Sequence, residues 1–457
     1  LQLDHRMYIL KAETEKKLSL FPWVPLRDQE IPASCEVLLR KRETQTLDSQ
    51  DVNIWNEPSH VPSENNNSNT LQGFTLNALV IQLSSEADYG YDMSFLKTFL
   101  ATYQSFTTPA LFLQKLMERF RVPDSVPPER RKLIQMRVCT VLKHWLSLTY
   151  EDFSDIMSTI TAFIENEMTQ PELQGIVERL KKSISSKKNQ GDYVHLESAP
   201  EPILPRNVEG ELTLLHLDPL EIARQLTLPM FKVFAQIKPT ELFNQAWNKP
   251  KLHHQSPNVL KMIERFNQVA CWVSSAIVRE PTLKKRAQIY IAFVRIAQHL
   301  KELKNYHLLM AVFSGLNNAA ILRLKWTKAK IGRKYEQILL QLETLCSMQG
   351  SFKNLRNATD SSVPPSIPCI NIYLSDLTFI EEGNPDYVGE NLINFEKHKL
   401  VYKSLSKIEQ FQGHTYNFVP VPPIEDFLNS LPQDDEKELY RLSLICEPRN
   451  STKSELN

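Results

Sequence analysis

Apolar side chains recur at helical spacing along most of this chain. Between about Leu71 and Ser185 the pattern predicts helices over Ser94–Tyr103, Pro109–Arg121, Pro128–Ser147 and Tyr150–Glu167. A second helical region begins beyond Leu212 and runs to about Cys446. Within it, Ser256-Pro257 supplies an N-cap residue and a proline at the first helical position. Leu260, Ile263, Phe266, Ala270, Val273 and Ile277 then step by three and four, which lays one stripe against a core. In the following segment Leu283, Ala287, Tyr290, Ile291, Phe293, Val294, Ile296, Ala297, Leu300 and Leu303 wrap most of the circumference. That segment reads as a central, nearly buried helix. The fold class is therefore expected to be all-α, and no internal repeat is visible.

Breaks in the pattern divide the chain. Residues 1–62 mix charges with prolines and show no period, and the polar run Ser63–Asn69 cannot bury surface and reads as a linker. Lys181 to Arg206 is a second break, first Ser/Lys-rich and then Pro-rich. The expected organisation is an extension over 1–70, a helical domain over 71–187, a linker over 188–212, a larger helical domain over 213–450 and a tail over 451–457. The chain opens on Leu1 instead of methionine, which suggests a fragment of something longer.

One stretch combines these signals unusually. Ile372–Phe395 reads as a short apolar helix ending in Glu381-Glu382, a Gly383-Asn384-Pro385 break and the start of a second helix. Leu400/Val401, Leu405, Ile408 and Phe411 continue along one face of that second helix, with Lys397, Lys403, Lys407 and Glu409 mainly elsewhere. An αα-hairpin results, suited to pressing a carboxylate and an apolar face into another molecule. Both glutamates are expected to be solvent-exposed in the free protein.

Composition acts mainly by exclusion. Lys plus Arg and Asp plus Glu balance at 53 each, which argues against bulk binding to nucleic acid or anionic membrane. The basic cluster Arg179, Lys181, Lys182, Lys187 and Lys188 reads as a solvated linker more readily than as a lipid contact. Six scattered cysteines, Cys35 among them, match reduced, intracellular usage, and no apolar run approaches the roughly 18 residues of a spanning helix. The 11 glycines form no phosphate-cradling loop, and HExxH and GxSxG are missing. His253-His254 is a weak metal candidate on spacing, so no metal or cofactor is expected.

Separated motifs resemble the Ras-family guanine-nucleotide exchange factors of the son-of-sevenless type. FLATYQSFTTP (Phe99–Pro109) resembles the Ras exchanger motif, and DPLEIARQLTL (Asp218–Leu228) the entry to the catalytic exchange domain. SPNVLKMI (Ser256–Ile263), FSGLNNAAILRLKWT (Phe313–Thr327), VPPSIPCINIYLSDLTFIEEGNP (Val363–Pro385), LINFEKHK (Leu392–Lys399) and CEPRN (Cys446–Asn450) follow in family order.

The resemblance implies an N-terminal exchanger-motif domain and an all-α bowl whose hairpin projects from the rim. The implied partner is a Ras-subfamily small GTPase of the Ras or Rap group. Exchange involves no covalent chemistry, and the setting is cytoplasmic, with peripheral recruitment to membranes. Glu382 stands where the family has an acid that engages the phosphate-binding loop, and Thr378 where a side chain sits beside the metal site. Asn384 completes the tip and Asn317 matches an interface asparagine. Ile263, Met310 and Phe352 match an apolar pocket for a switch 2 aromatic, and Glu264, Asn267, Arg323 and Phe379 extend that surface. Three features depart from the pattern: Glu264 in place of an arginine, Thr378 in place of leucine, and Cys369-Ile370 in place of two aromatics. These bear on which GTPase is used. An exchange-inactive helical scaffold that binds a GTPase or another signalling protein is the alternative, and the intact hairpin tip argues against it.

Overall fold

Backbone amides at helix starts need acceptors, and the sequence places side chains to provide them. Thr108 Oγ1 accepts from Leu111 N at 3.2 Å, and Asp435 Oδ1 from Glu438 N at 2.7 Å. The computed structural model describes residues 8–13, 36–41, 52–57, 73–85, 92–148, 153, 155–185, 198–206, 208, 210–389 and 391–456. The N-terminal helices are α1 (Leu76–Leu83), α2 (Met93–Thr102), α3 (Pro109–Phe120), α4 (Pro128–Leu148), α5 (Met157–Asn166) and α6 (Gln174–Ser185). There follow α7 (Pro219–Ala235), α8 (Pro257–Val278), α9 (Leu283–Glu302), α10 (Tyr306–Leu316), α11 (Ala319–Leu322) and α12 (Lys325–Ala329). The remainder are α13 (Arg333–Cys346), α14 (Gln349–Asp360), α15 (Ile370–Gly383), α16 (Phe395–Gln412), α17 (Pro422–Asn429) and α18 (Glu436–Cys446). Among the described residues, strands are confined to two antiparallel ribbons, β1 (Tyr8–Glu13) with β2 (Glu36–Lys41) and β3 (Tyr387–Val388) with β4 (Leu392–Ile393). The fold is all-α as expected. No described helix is long and apolar enough to cross a membrane.

Several expectations shift. Ser256 occupies the N-cap position of α8 without capping it, because its hydroxyl donates to the Glu241 carbonyl at 2.6 Å. The buried Glu241 carboxylate caps instead, accepting from the amides of Asn258 and Val259 at 2.7 and 3.3 Å. The helix expected from Tyr150 begins at Met157, and α6 carries the chain through Lys181 to Ser185. The Ser63–Asn69 run, Cys35, Lys187, Lys188 and residues 188–197 of the expected linker lie outside the described residues.

Contacts divide the chain into two compact units. The first comprises residues 1–96, 106–185 and 386–396. Trp145 is fully buried between Phe112 and Phe153, at ring separations of 4.6 and 4.9 Å. Segment 52–57, aperiodic by sequence, docks here. Ile54 is buried, and Trp55 Nε1 donates to the Glu118 carbonyl at 2.8 Å. The Trp55 ring also covers Arg119 at 4.4 Å. Burial lowers the Arg119 guanidinium to about 10, while its Nε donates to Ser84 Oγ. Phe74 pairs with Ile393 in both directions, at 3.0 and 2.7 Å, so β4 gains a second partner segment beside β3. A Cβ on Gly73 would lie 2.4 Å from both Leu392 Cβ and Val388 Cγ2, a contact only glycine avoids.

The second unit comprises residues 97–105, 186–385 and 397–457. Helix α9 runs through its core as predicted, with Phe293 fully buried against Trp272 at 4.8 Å. Helix α9 also buries a charge: Arg286 reaches the carbonyls of Glu280, Pro281 and Cys446 and the hydroxyl of Thr327. The Glu447 carboxylate, itself buried, accepts from Thr327 Oγ1 at 2.6 Å and lies 3.4 Å from Arg286 Nη2. Helices α8 and α10 cross closely at Gly315, where a Cβ would meet the Ala270 carbonyl at 2.5 Å and Val273 Cβ at 2.6 Å. Near the start of α10, fully buried His307 donates its Nε2–H to the Met262 carbonyl at 3.1 Å. Its Nδ1 has no hydrogen-bond partner among the described residues.

This packing has two measurable outcomes. Burial outweighs the Met262 bond and lowers His307 to about 4 from an unfolded value near 6.5. The unfolded chain therefore binds the extra proton between those values, and stability falls as pH drops from 6.5 towards 4. The loss should approach roughly 3 kcal/mol, and His307→Asn should remove that share of the slope in denaturant midpoints against pH. In the first unit, Gly73→Val should destabilise by about 1–3 kcal/mol through overpacking, read as a lower melting temperature. An unchanged melting temperature would show that the 388–392 ribbon yields at no cost.

Candidate functional site

Helix α15 starts after Pro368-Cys369, where burial pushes the Cys369 thiol up to about 12. Ile370, Tyr373, Leu374 and Leu377 form its buried stripe, at steps of three and four. The helix stops at Gly383, and the Asn384 amide turns back to donate to the Ile380 carbonyl at 3.0 Å. Asn384 therefore closes the carboxyl end of the helix, and the chain leaves as the β3–β4 ribbon instead of a plain loop.

Helical geometry separates the two glutamates by about 100°. Glu381 continues the buried stripe, and its Oε2 accepts from Lys397 Nζ of α16 at 2.7 Å. The Lys397 side chain is only 2% exposed and that of Glu381 19%, which corrects the expectation that Glu381 is exposed. An ammonium so deeply buried needs a carboxylate nearby. Glu382 lies on the opposite stripe and is exposed, together with Ser375 and Phe379. The Phe379 ring, 70% exposed, is far more open than a ring of that size normally is in a folded protein. Thr378 is half-buried beside this stripe and spends its hydroxyl on the Leu374 carbonyl at 2.9 Å, so it offers mainly its methyl group.

A second ion pair fixes α15 from the other side. Arg356 of α14 grips the Asp376 carboxylate with two parallel bonds of 2.7 and 2.8 Å. That carboxylate raises the guanidinium above its ordinary value. Just before Arg356, Gly350, Ser351 and Phe352 all adopt left-handed backbone, with φ of 61°, 55° and 62°. For the two non-glycine residues this conformation costs roughly 1–2 kcal/mol each.

The remaining predicted residues fall on neighbouring surfaces. Ile263, Met310 and Phe352 are partly buried and pack against the unit's core. Ile263 and Met310 sit on the directly packed helices α8 and α10, whereas Phe352 sits on the left-handed turn of α14. Glu264 and Asn267 are exposed on α8, one helical step apart, and Glu264 accepts from Gln268 at 3.2 Å. Asn317 caps the carboxyl end of α10, exposed, with its amide on the Phe313 carbonyl at 3.0 Å. Arg323 is engaged within the protein itself. Its guanidinium is taken by the Ser443 and Glu447 carbonyls and ties α11 to the end of α18.

Sequence reasoning missed Lys397, Arg356 and Asp376. Their pairs lie 16 and 20 residues apart and leave no periodic signal. Among the described residues, no group of three or more His, Cys, Asp and Glu side chains is placed to hold a metal ion. What α15 presents is a ridge of methyl, ring and carboxylate on a helix clamped from two sides. Such a ridge can wedge and repel.

Known proteins carry the same arrangement of sequence. A RasGEF domain profile matches residues 221–399, which include α8, α10, α14 and α15, and a RasGEF N-terminal motif matches residues 70–166. Ras guanine nucleotide exchange factor A of Dictyostelium discoideum is 36% identical over 474 residues, covering 94% of this chain and 77% of that protein. Factor I of the same organism is 40% identical over 393 residues, 84% of this chain, and factor J is 37% identical over 415 residues, 87% of this chain. The chain spans 47% and 51% of the lengths of those two relatives. With both domains matched in order and one relative paired over most of its length, the chain belongs to the family of Ras guanine-nucleotide exchange factors.

Proposed function

We propose that this chain accelerates GDP release from a Ras-subfamily small GTPase, of the Ras or Rap group, by placing the outward stripe of α15 in the GTPase's nucleotide site. The observation that carries this reading is the sorting of the two glutamates: Glu381 is held by Lys397, and Glu382 is left exposed beside Phe379. Nucleotides are held largely by phosphate contacts to backbone amides, a lysine and Mg²⁺. At picomolar affinity that amounts to about 16 kcal/mol, so unaided release is slow. Binding the emptied conformation preferentially lowers the barrier without any bond chemistry. Glu382 repels phosphate and competes for its serine and lysine partners, while Thr378, its hydroxyl already engaged, fills the metal's space without offering a strong oxygen ligand. Asn384 keeps the helix end closed, and Asn317 stands at the rim of α10. Ile263 and Met310, with Phe352, receive an apolar switch side chain, and Glu264 and Asn267 select by charge and hydrogen bonding. The site of action is the membrane surface where the GTPase resides.

A panel of Ras, Rap, Ral and R-Ras proteins loaded with fluorescent GDP tests the reading. At least one should release nucleotide faster with micromolar chain present. Tight binding without acceleration across the panel would instead establish a scaffold. Glu382→Ala should slow release by roughly ten- to a hundredfold, about 1.4–3 kcal/mol, with the melting temperature unchanged. Glu381→Ala should leave the rate much closer to that of the parent but lower stability by about 1–3 kcal/mol, because the buried Lys397 loses its bond to Glu381. Equal rate losses for the two variants would mean that general negative charge, not the placement of Glu382, is responsible. In titrations of the nucleotide-free GTPase, Ile263→Asp should weaken binding about a hundredfold or more while the circular-dichroism spectrum stays native. Unchanged affinity would remove Ile263 from the interface.

A further inference from the structure

In the exchange reading, on which the role of Arg356 described here rests, α15 must keep its stripe steady while a bound nucleotide resists it. Lys397 holds the end of α15 nearest Gly383, whereas Arg356 holds its middle and does something more. Three of its five N–H donors are engaged by two different elements. Nη1 and Nη2 grip Asp376 at 2.7 and 2.8 Å, and Nε donates to the Ser351 carbonyl at 2.8 Å. The Tyr373 ring of α15 lies beneath the guanidinium, 5.9 Å from its carbon. Ser351 is the middle residue of the left-handed turn, and the next residue is Phe352, half-buried against the core. Asp376 lies two residues before Thr378 and six before Glu382. A planar fork with a third donor on its shaft is the only ordinary side chain that can bridge a carbonyl and a carboxylate in this way.

We propose that Arg356 is a positioning residue that couples the seating of Phe352 to the setting of α15, so that an apolar partner side chain received at Phe352 steadies Thr378 and Glu382. Two non-glycine residues of the turn are held in left-handed backbone, the Nε bond ties its central carbonyl to the guanidinium, and a shift of Phe352 is transmitted to Asp376 through one rigid plane. A simple ion pair between α14 and α15 would need only the carboxylate bonds.

That difference makes the two cases separable. Arg356→Gln should lower the maximal GDP-release rate at saturating chain about tenfold or more, with the half-saturating concentration within about twofold of the parent. The double variant Arg356→Asp with Asp376→Arg re-creates the ion pair with reversed polarity but removes the donor to Ser351. It should recover the melting temperature and not the rate. Full recovery of the rate by the swap would reduce Arg356 to a structural tie, and an unchanged rate in Arg356→Gln would end the proposal. Hydrogen exchange on the chain alone reads the coupling without any GTPase. Arg356→Gln should speed exchange together at 350–354 and along α15, and the swap should do so at 350–354. Unchanged protection of α15 in Arg356→Gln would overturn the coupling even if rates fell. Failure of the parent chain to release GDP would count against exchange itself, and the hydrogen-exchange arm would still decide the coupling.

Discussion

The rotational setting of α15 is the constraint on which everything at this site depends. A turn of about 100° would bring Glu381 to the exposed side and bury Glu382. Three interactions resist it. The stripe of Ile370, Tyr373, Leu374 and Leu377 is buried, Arg356 grips Asp376, and Glu381 answers Lys397. The last is the most directional. An ion pair at the surface contributes little, but a carboxylate that answers a lysine with 2% of its side chain exposed is held firmly in place. Burying Lys397 therefore specifies which of two adjacent glutamates faces inward. Specificity, more than net stability, is what such a pair supplies.

The clamp on α15 extends to its neighbours. Lys407 of α16 reaches Asp360 of α14 at 2.7 Å, so α14, α15 and α16 are joined pairwise by three ion pairs. Beneath the other predicted surface, α8 and α10 touch backbone to side chain at Gly315, with Ser274 Oγ donating to the Gly315 carbonyl at 3.0 Å. Close-packed helices of this kind shift as bodies and do not deform gradually. Ile263, Met310 and Asn317 thus ride on one rigid pair of helices, while Glu382 and Thr378 ride on another element held by charge.

Much of this was legible in the sequence, and the limits have physical causes. Apolar periodicity revealed the α8 stripe and the buried α9 because burial itself creates the period. The end of α15 could be read from Gly383 and Pro385, since both residues act through their own backbones. Interactions set by distant partners were hidden. Ser256 looked like a cap until Glu241, 15 residues earlier, proved to hold the amides. Segment 52–57 has no period because it docks through two side chains, Ile54 and Trp55, and forms no helix. The same holds for Glu381: an acidic pair at a helix end looks symmetrical, and only the buried lysine of α16 distinguishes its members. Arg323 looked available from its motif, whereas the carbonyls of Ser443 and Glu447 claim it.

The Arg286–Thr327–Glu447 cluster has a consequence for how the protein is made. Arg286 lies in the middle of the second unit's core, and the acidic group answering it comes 161 residues further along. Until Glu447 has left the ribosome, a nascent chain that closed around α9 would enclose a guanidinium bonded to neutral oxygens but without its carboxylate. The charge pairing in the second unit's core therefore requires residue 447 to have emerged, whereas the Trp145 core of the first unit draws on residues that emerge much earlier.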